Sequence, residues 1–283
     1  MFLSSFVFFV ISFFAGIGLI FLGLRFLSES FQVVFAPLLK KVLDSISKSP
    51  LSSFFAGFGT SFLVQSRSSA SLMSMSYIGA GQMTLSQLML FLLGSQLGTV
   101  PTIFLFLSPH QTITYFLLFL GFFPMFFIKD EEFSHWGKGI FALGLLLLGQ
   151  TVLMDSFSHF SFQFQDVKVS LEAFDFWIVS LVSMGLGFLF RSSVALLVVL
   201  ISALLTGVID SSVAMTMILG INLGTALPFI SSCRRSLTVV KRGACFFVFV
   251  HGLSFLFATL FFKDLSYFTN FLRQEIFFHL NAV

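Results

Sequence analysis

Between Ser68 and Ile128 the chain carries no Asp, Glu, Lys or Arg. That run is too long for one membrane-spanning helix, which needs about 20 apolar residues. It is also too poor in charge for a soluble domain, in which roughly a quarter of residues are charged. The whole chain shares the property: of 283 residues, 57% are hydrophobic and 10% charged. The chain is therefore a membrane protein with several helical spans. A net charge of +3 is too small to suggest nucleic-acid binding. Cys233 and Cys245 form neither a disulfide framework nor a metal-like spacing, and read as structural thiols.

Turn signals divide the apolar runs. Leu3 to Leu24 predicts a first span that stops at Arg25, without the basic n-region or cleavage site of a signal peptide. Gly79, Gly81, Pro101 and the turn Ser108-Pro109-His110-Gln111 split the long run into spans at about 83–107 and 112–128. Uncharged runs at 139–154, 211–233 and 243–262 give three more. With the N-terminus outside, ten of the fifteen basic residues fall in cytoplasmic loops, among them Arg25, Lys40, Lys41, Lys129 and Lys241. Lys168, Lys263 and Arg273 fall outside, and Arg67 and Arg191 remain in apolar surroundings. The loop charges read as topology determinants, and Trp136 and Trp177 as interfacial anchors.

Compared with itself at an offset of 126 residues, the chain matches without gaps. Gly18, Gly23, Gly59, Ser66 and Gly81 fall on Gly144, Gly149, Gly185, Ser192 and Gly207. Gly94-Ser95-Gln96-Leu97-Gly98-Thr99 falls on Gly220-Ile221-Asn222-Leu223-Gly224-Thr225. The expected architecture is an all-α polytopic membrane protein of two repeats, 1–128 and 129–262, with 263–283 as a short C-terminal tail. Each repeat is read as one span, a re-entrant helical hairpin and two further spans. Three crossings is an odd number, so the repeats have inverted topology, as in many secondary transporters.

The hairpins, at about 50–81 and 176–207, are inferred from length. Pro50 to Gln65 makes about 22 Å of helix and Arg67 to Gly81 about 20 Å, both short of a core about 30 Å thick. Between the arms lies Gln65-Ser66-Arg67-Ser68-Ser69, a polar run that a lipid-facing helix would not carry at its centre. Its counterpart is Arg191-Ser192-Ser193. A helix starting at mid-membrane offers unpaired N–H groups and a positive dipole end, which is an anion site. The oxygens of Gln96, Thr99, Asn222 and Thr225 suit an alkali cation.

The order, spacing and duplication of these motifs over about residues 10–262 resemble the type II sodium-dependent phosphate cotransporters and their bacterial relatives. The hallmark of that family is a duplicated Gln-Ser-Ser-Ser hairpin motif followed by Gly-x-Asn-x-Gly-Thr. The resemblance implies that Gln65, Ser66, Ser68, Ser69, Ser192 and Ser193 contact phosphate. It implies that Gln96, Thr99, Asn222 and Thr225 support sodium or the hairpins, sodium being the coupling ion and no other metal being expected. Bacterial relatives often carry a regulatory helical domain after the core, and none is expected in Lys263 to Val283.

Two departures fall inside the motifs: Arg67 stands where the family has serine, and Arg191 where it has glutamine. A guanidinium within a membrane needs a partner, and Asp210, a helix carbonyl or a bound phosphate are the candidates. Both arginines are expected to join the substrate site, supplying fixed positive charge that would weaken dependence on sodium. The competing reading is that they tie the hairpins together. His251 is expected to pack or to hydrogen-bond between helices, and Asp210 to cap the helix it opens.

The leading function is inorganic phosphate transport by alternating access, coupled to sodium, in the cell (inner) membrane. A transporter of an organic or lipid-linked phosphate with weak or no sodium coupling competes with it, as does a transport-inactive phosphate sensor or assembly subunit. The partners expected are phosphate, sodium and the lipid bilayer, and the motifs leave oligomeric state open. No catalytic triad, carboxylate pair or metal constellation points to an enzyme.

Overall fold

Serine and threonine caps, together with two non-glycine residues in left-handed backbone, decide where the helices of this chain begin and end. A computed structural model describes residues 2–44, 49–106, 111–163, 176–234 and 236–261. These residues are helical, with no strand among them: α1 Phe2–Val34, α2 Ala36–Asp44, α3 Pro50–Val64, α4 Arg67–Gly79, α5 Leu85–Leu97 and α6 Val100–Ile103. After a 3-10 turn at Phe104–Phe106 come α7 Gln111–Phe127, α8 Glu131–Gln163, α9 Phe176–Phe190, α10 Ser193–Leu205, α11 Ser211–Ser232 and α12 Thr238–Leu260. Four of them, α1, α8, α11 and α12, are long and apolar enough to cross a membrane. The protein is an integral membrane protein.

Two expected spans are corrected. The first does not stop at Arg25: α1 continues to Val34, because Arg25 pairs with Glu29 one turn on, Nε to Oε1 at 2.8 Å, and the helix carries both charges. The segment 83–107 is not one helix. It ends as α5 at Leu97, and the chain restarts as the four-residue α6, whose Pro101 cannot donate a backbone hydrogen bond to the preceding turn. The turn at 108–110, the stretch 164–175 with Lys168, and the tail 263–283 lie outside the described residues, as do Lys48 and Arg235.

The offset of 126 seen in the sequence recurs in the backbone. It carries the bounds of α3 onto those of α9, the bounds of α4 onto those of α10, and the start of α5 onto that of α11. Gln65, at φ 54°, falls on Arg191, at φ 53°; Gly81, at 73°, falls on Gly207, at 74°. Both glycines close their helices with the same pair of bonds: Gly81 and Gln82 N–H to the carbonyls of Ile78 and Tyr77, and Gly207 and Val208 N–H to those of Leu204 and Ala203.

Glycines set the packing. A Cβ at Gly94 would overlap the Phe54 carbonyl and one at Gly98 the Phe58 carbonyl, so α5 lies backbone to backbone on α3. Gly220 and Gly224 of α11 meet Ser180 and Met184 of α9 in the same way, again 126 residues on. The helix pair α1 and α8 packs through Gly16 on Gly149 and Gly23 on Ala142. The duplicated Gly-x-Gln/Asn-Leu-Gly motif is thus two close-approach glycines with a carboxamide two residues from each, about 200° around the helix and on the opposite face. That leaves Gln96 and Asn222 pointing away from α3 and α9.

Gly94→Ala is expected to destabilise the protein by about 1–3 kcal/mol through overpacking, read as a lower thermal midpoint in detergent. Gly185→Ala, which meets no atom within 4 Å, should leave the midpoint unchanged or slightly raised.

Candidate functional site

The left-handed residues Gln65 and Arg191 end α3 and α9, and the next residue in each case, Ser66 or Ser192, caps a new helix. Ser66 Oγ accepts from the Ser69 N–H at 3.2 Å, and Ser192 Oγ from the Ala195 N–H at 3.4 Å. Each cap satisfies the third N–H of its helix. The first two N–H groups of α4 and of α10 have no partner within the helix, and the positive dipole end adds to them.

Both breaks open on one cavity of about 220 Å³. Its walls are Val64 to Ser68 from the first break, Arg191 to Val194 from the second, and Phe21, Leu24, Arg25 and Ser28 from α1. Three arginines line it, one of them the Arg25 that pairs with Glu29, and among the described residues no carboxylate is part of the lining. Guanidinium forks match the geometry of tetrahedral oxyanions. Ser28 fixes the α1 wall by donating to the Val64 carbonyl at 2.7 Å.

The side chain of Gln65 is committed to the fold: its amide donates to the Phe62 carbonyl at 2.6 Å, and its oxygen accepts from Thr102 at 2.8 Å. The exposed Ser69 contributes its N–H to the Ser66 cap and does not line the cavity. Ser68 and Ser193 do line it. Arg191 lies at its surface, whereas Arg67 turns inward. The Arg67 guanidinium donates to Asn222 Oδ1 at 2.9 Å and, at 3.4 Å, to Gln96 Oε1. Those two carboxamides are 126 residues apart, one from each half.

Arg67 also lines a second cavity of about 190 Å³, with Gln96, Asn222, His251 and Ser254. There His251 Nδ1 is 2.8 Å from the Phe247 carbonyl, a bond within its own helix where an interhelical one was expected. Thr99 and Thr225 line neither cavity; both are buried, and Thr225 donates to the Asn222 carbonyl at 3.1 Å. Asp210 partners no arginine among the described residues. It caps α11, accepting from the Val213 N–H at 2.7 Å and from Ser212 at 2.8 Å.

Arg25 and Ser28 were missed in the sequence because the first span was ended at Arg25. The signal was the helical spacing of Arg25, Ser28, Glu29 and Gln32, which keeps polar groups on one side of a continuing helix.

Residues 11–155 match the profile of a family described as Na+/Pi-cotransporter. A protein of Salmonella typhimurium named "Putative inorganic phosphate export protein YjbB" is 28% identical over 218 residues, which cover 75% of this chain and 39% of that protein. The protein of the same name in Escherichia coli is 27% identical over the same shares. The chain thus spans about two fifths of the length of the curated relatives it matches. No solved structure matches the chain.

With both native cysteines replaced by alanine, Ser68→Cys and Ser193→Cys should react with methanethiosulfonates from water. The three arginines should make an anionic reagent react at least about tenfold faster than a cationic one. A cysteine at Ser95, which is 0% exposed, should stay unmodified. Alkylation rates followed by mass spectrometry check all three outcomes.

Proposed function

Because the chain belongs to the Na+/Pi-cotransporter family, we propose that it moves inorganic phosphate across the cell (inner) membrane by alternating access. The family is one of transporters, not enzymes. The observation that carries the proposal is that both serine-capped helix starts and three arginines line one cavity without a carboxylate. In this reading phosphate sits between the N-termini of α4 and α10, accepting from their first N–H groups, from Ser68 and Ser193, and from Arg191 and Arg25. The export role in the names of the relatives is consistent with a phosphate site of this kind.

The pairs α3–α4 and α9–α10 are read as re-entrant hairpins belonging to two inverted-topology repeats. Support comes from their length: arms of 15 and 13 residues reach about 22 and 20 Å, less than a bilayer core. The recurrence of φ angles, caps and glycine seams at one offset supports duplication. In alternating access, two such halves exchange roles around a site that both contribute to.

Sodium is the proposed coupling ion, with the oxygens of Gln96, Thr99, Asn222 and Thr225 as its candidate supports. Arg67 alters this arrangement. Its guanidinium already holds the carboxamide oxygens of Gln96 and Asn222, and a fixed cation there disfavours a metal ion at the same oxygens. Coupling is therefore proposed to use fewer sodium ions than in a relative with serine at this position.

Radiolabelled phosphate flux in proteoliposomes tests the reading. Wild-type protein should transport phosphate. Arg191→Ala should raise the half-saturating phosphate concentration about 10- to 100-fold, the scale of one or two charge-assisted hydrogen bonds. Absence of flux under every imposed gradient would overturn the proposal. Arg67→Ser should make flux depend more steeply on sodium than in wild type, and an unchanged dependence would remove Arg67 from the coupling.

A further inference from the structure

Beside the polar cavity lies an apolar one of about 260 Å³, bounded by α1, α9 and α10. Two walls run from one into the other. On α1, Ser28, Arg25 and Leu24 line the polar cavity, Phe21 lines both, and Ile20, Ile17 and Phe13 line the apolar one. On α10, Ser193 and Val194 give way to Ala195, Leu196 and Val199. The polar-to-apolar change runs towards lower numbers on α1 and towards higher numbers on α10, so the chamber as a whole has a charged head and a greasy body. From Phe21 to Phe13 the apolar wall is about 12 Å long. At its rim, Phe14 is 62% and Phe190 39% exposed, so the cavity borders an exposed apolar surface.

We infer that this chamber binds a phosphate monoester of a long apolar chain, the phosphate between the two serine-capped helix starts and the chain in the apolar cavity. The inference rests on the reading of the polar cavity as a phosphate site and specifies what that site accepts. The chemistry favours a monoester over a diester. A monoester keeps three free oxygens and nearly two negative charges for two helix N-termini and the arginines. A diester phospholipid offers fewer free oxygens and one charge, and carries a second substituent that the polar walls would have to accommodate. A free inorganic phosphate uses the head of the chamber alone. The apolar body, with no polar residue in its lining, gives the ester its additional recognition.

The test is competition for labelled inorganic phosphate on the full chain in phosphatidylcholine nanodiscs, using methyl phosphate, hexyl phosphate and hexanol, with calorimetric titration of each compound alone. Hexyl phosphate should compete at concentrations at least tenfold below methyl phosphate, equivalent to about 1.4 kcal/mol, and hexanol should not compete. Val199→Trp, and Leu196→Trp as a second filling variant, should abolish the hexyl advantage while leaving inorganic phosphate affinity intact. Equal potency of the two esters, competition by hexanol, or a hexyl advantage that survives both tryptophans would each overturn the inference. If inorganic phosphate fails to bind but hexyl phosphate binds and is blocked by the tryptophans, the inorganic-phosphate reading falls and this one stands. If inorganic phosphate binds and neither ester does, this inference falls and the inorganic-phosphate reading stands; if none of the three binds, both fall.

Discussion

A helix that starts inside a bundle leaves up to four N–H groups without an intrahelical partner, and this protein makes two such starts side by side. Much of the rest follows from satisfying them. Serine is present at both caps because its oxygen reaches the third N–H. The preceding residue is left-handed in both cases, at φ 54° and 53°, because the chain must reverse in one step between the end of one helix and the start of the next. Few non-glycine residues accept that backbone. Gln65 does so with its side chain tied to Phe62 and Thr102, which offsets the local strain. The N–H groups that remain face the cavity with the positive end of each helix dipole.

The duplication is close in backbone and loose in chemistry. At corresponding positions the first half has Gln65 and Arg67 where the second has Arg191 and Ser193. Each half therefore contributes one arginine, from a different position of its break. Because residues on either side of a left-handed kink point in different directions, the two guanidiniums part: Arg191 stays at the surface of the polar cavity, and Arg67 reaches back to the glycine-motif helices. A symmetric backbone thus builds an asymmetric site, with an exposed charge on one side and a tethered one on the other.

The bounds of the broken helices were legible in the sequence because they are local. Pro50 after Ser49 starts α3, serines start α4 and α10, and glycines at positive φ close them, each within a few residues of its signal. The glycines of the duplicated Gly-x-Gln/Asn-Leu-Gly motif were legible too, because close approach of two backbones there leaves no room for a Cβ. The long-range parts were less so. Arg25 looked like a loop charge because its partner Glu29, one turn on, is also held by Lys138 of α8, a contact that depends on α8 lying alongside. The break after Leu97 was hidden in an unbroken apolar run. The partner of Arg67 was expected among acids and backbone groups, yet proved to be two carboxamides from opposite halves of the chain, a pairing that only the packing of α5 against α3 and of α11 against α9 creates.

Arg67 is the point at which these elements meet. It begins α4, lines both polar cavities, and bonds to Gln96 and Asn222. A guanidinium has five donors, so two carboxamide oxygens do not exhaust it. An anion arriving at the start of α4 would compete with those oxygens for the same group, charge against dipole. In the proposed reading, an anion that won the guanidinium would loosen the link between α5 and α11, and its departure would let the carboxamides recover the arginine. Occupancy of the proposed anion site and the fit between the halves would then be linked through one side chain. A serine at that position, too short to reach Gln96 and Asn222 together, could not provide that link.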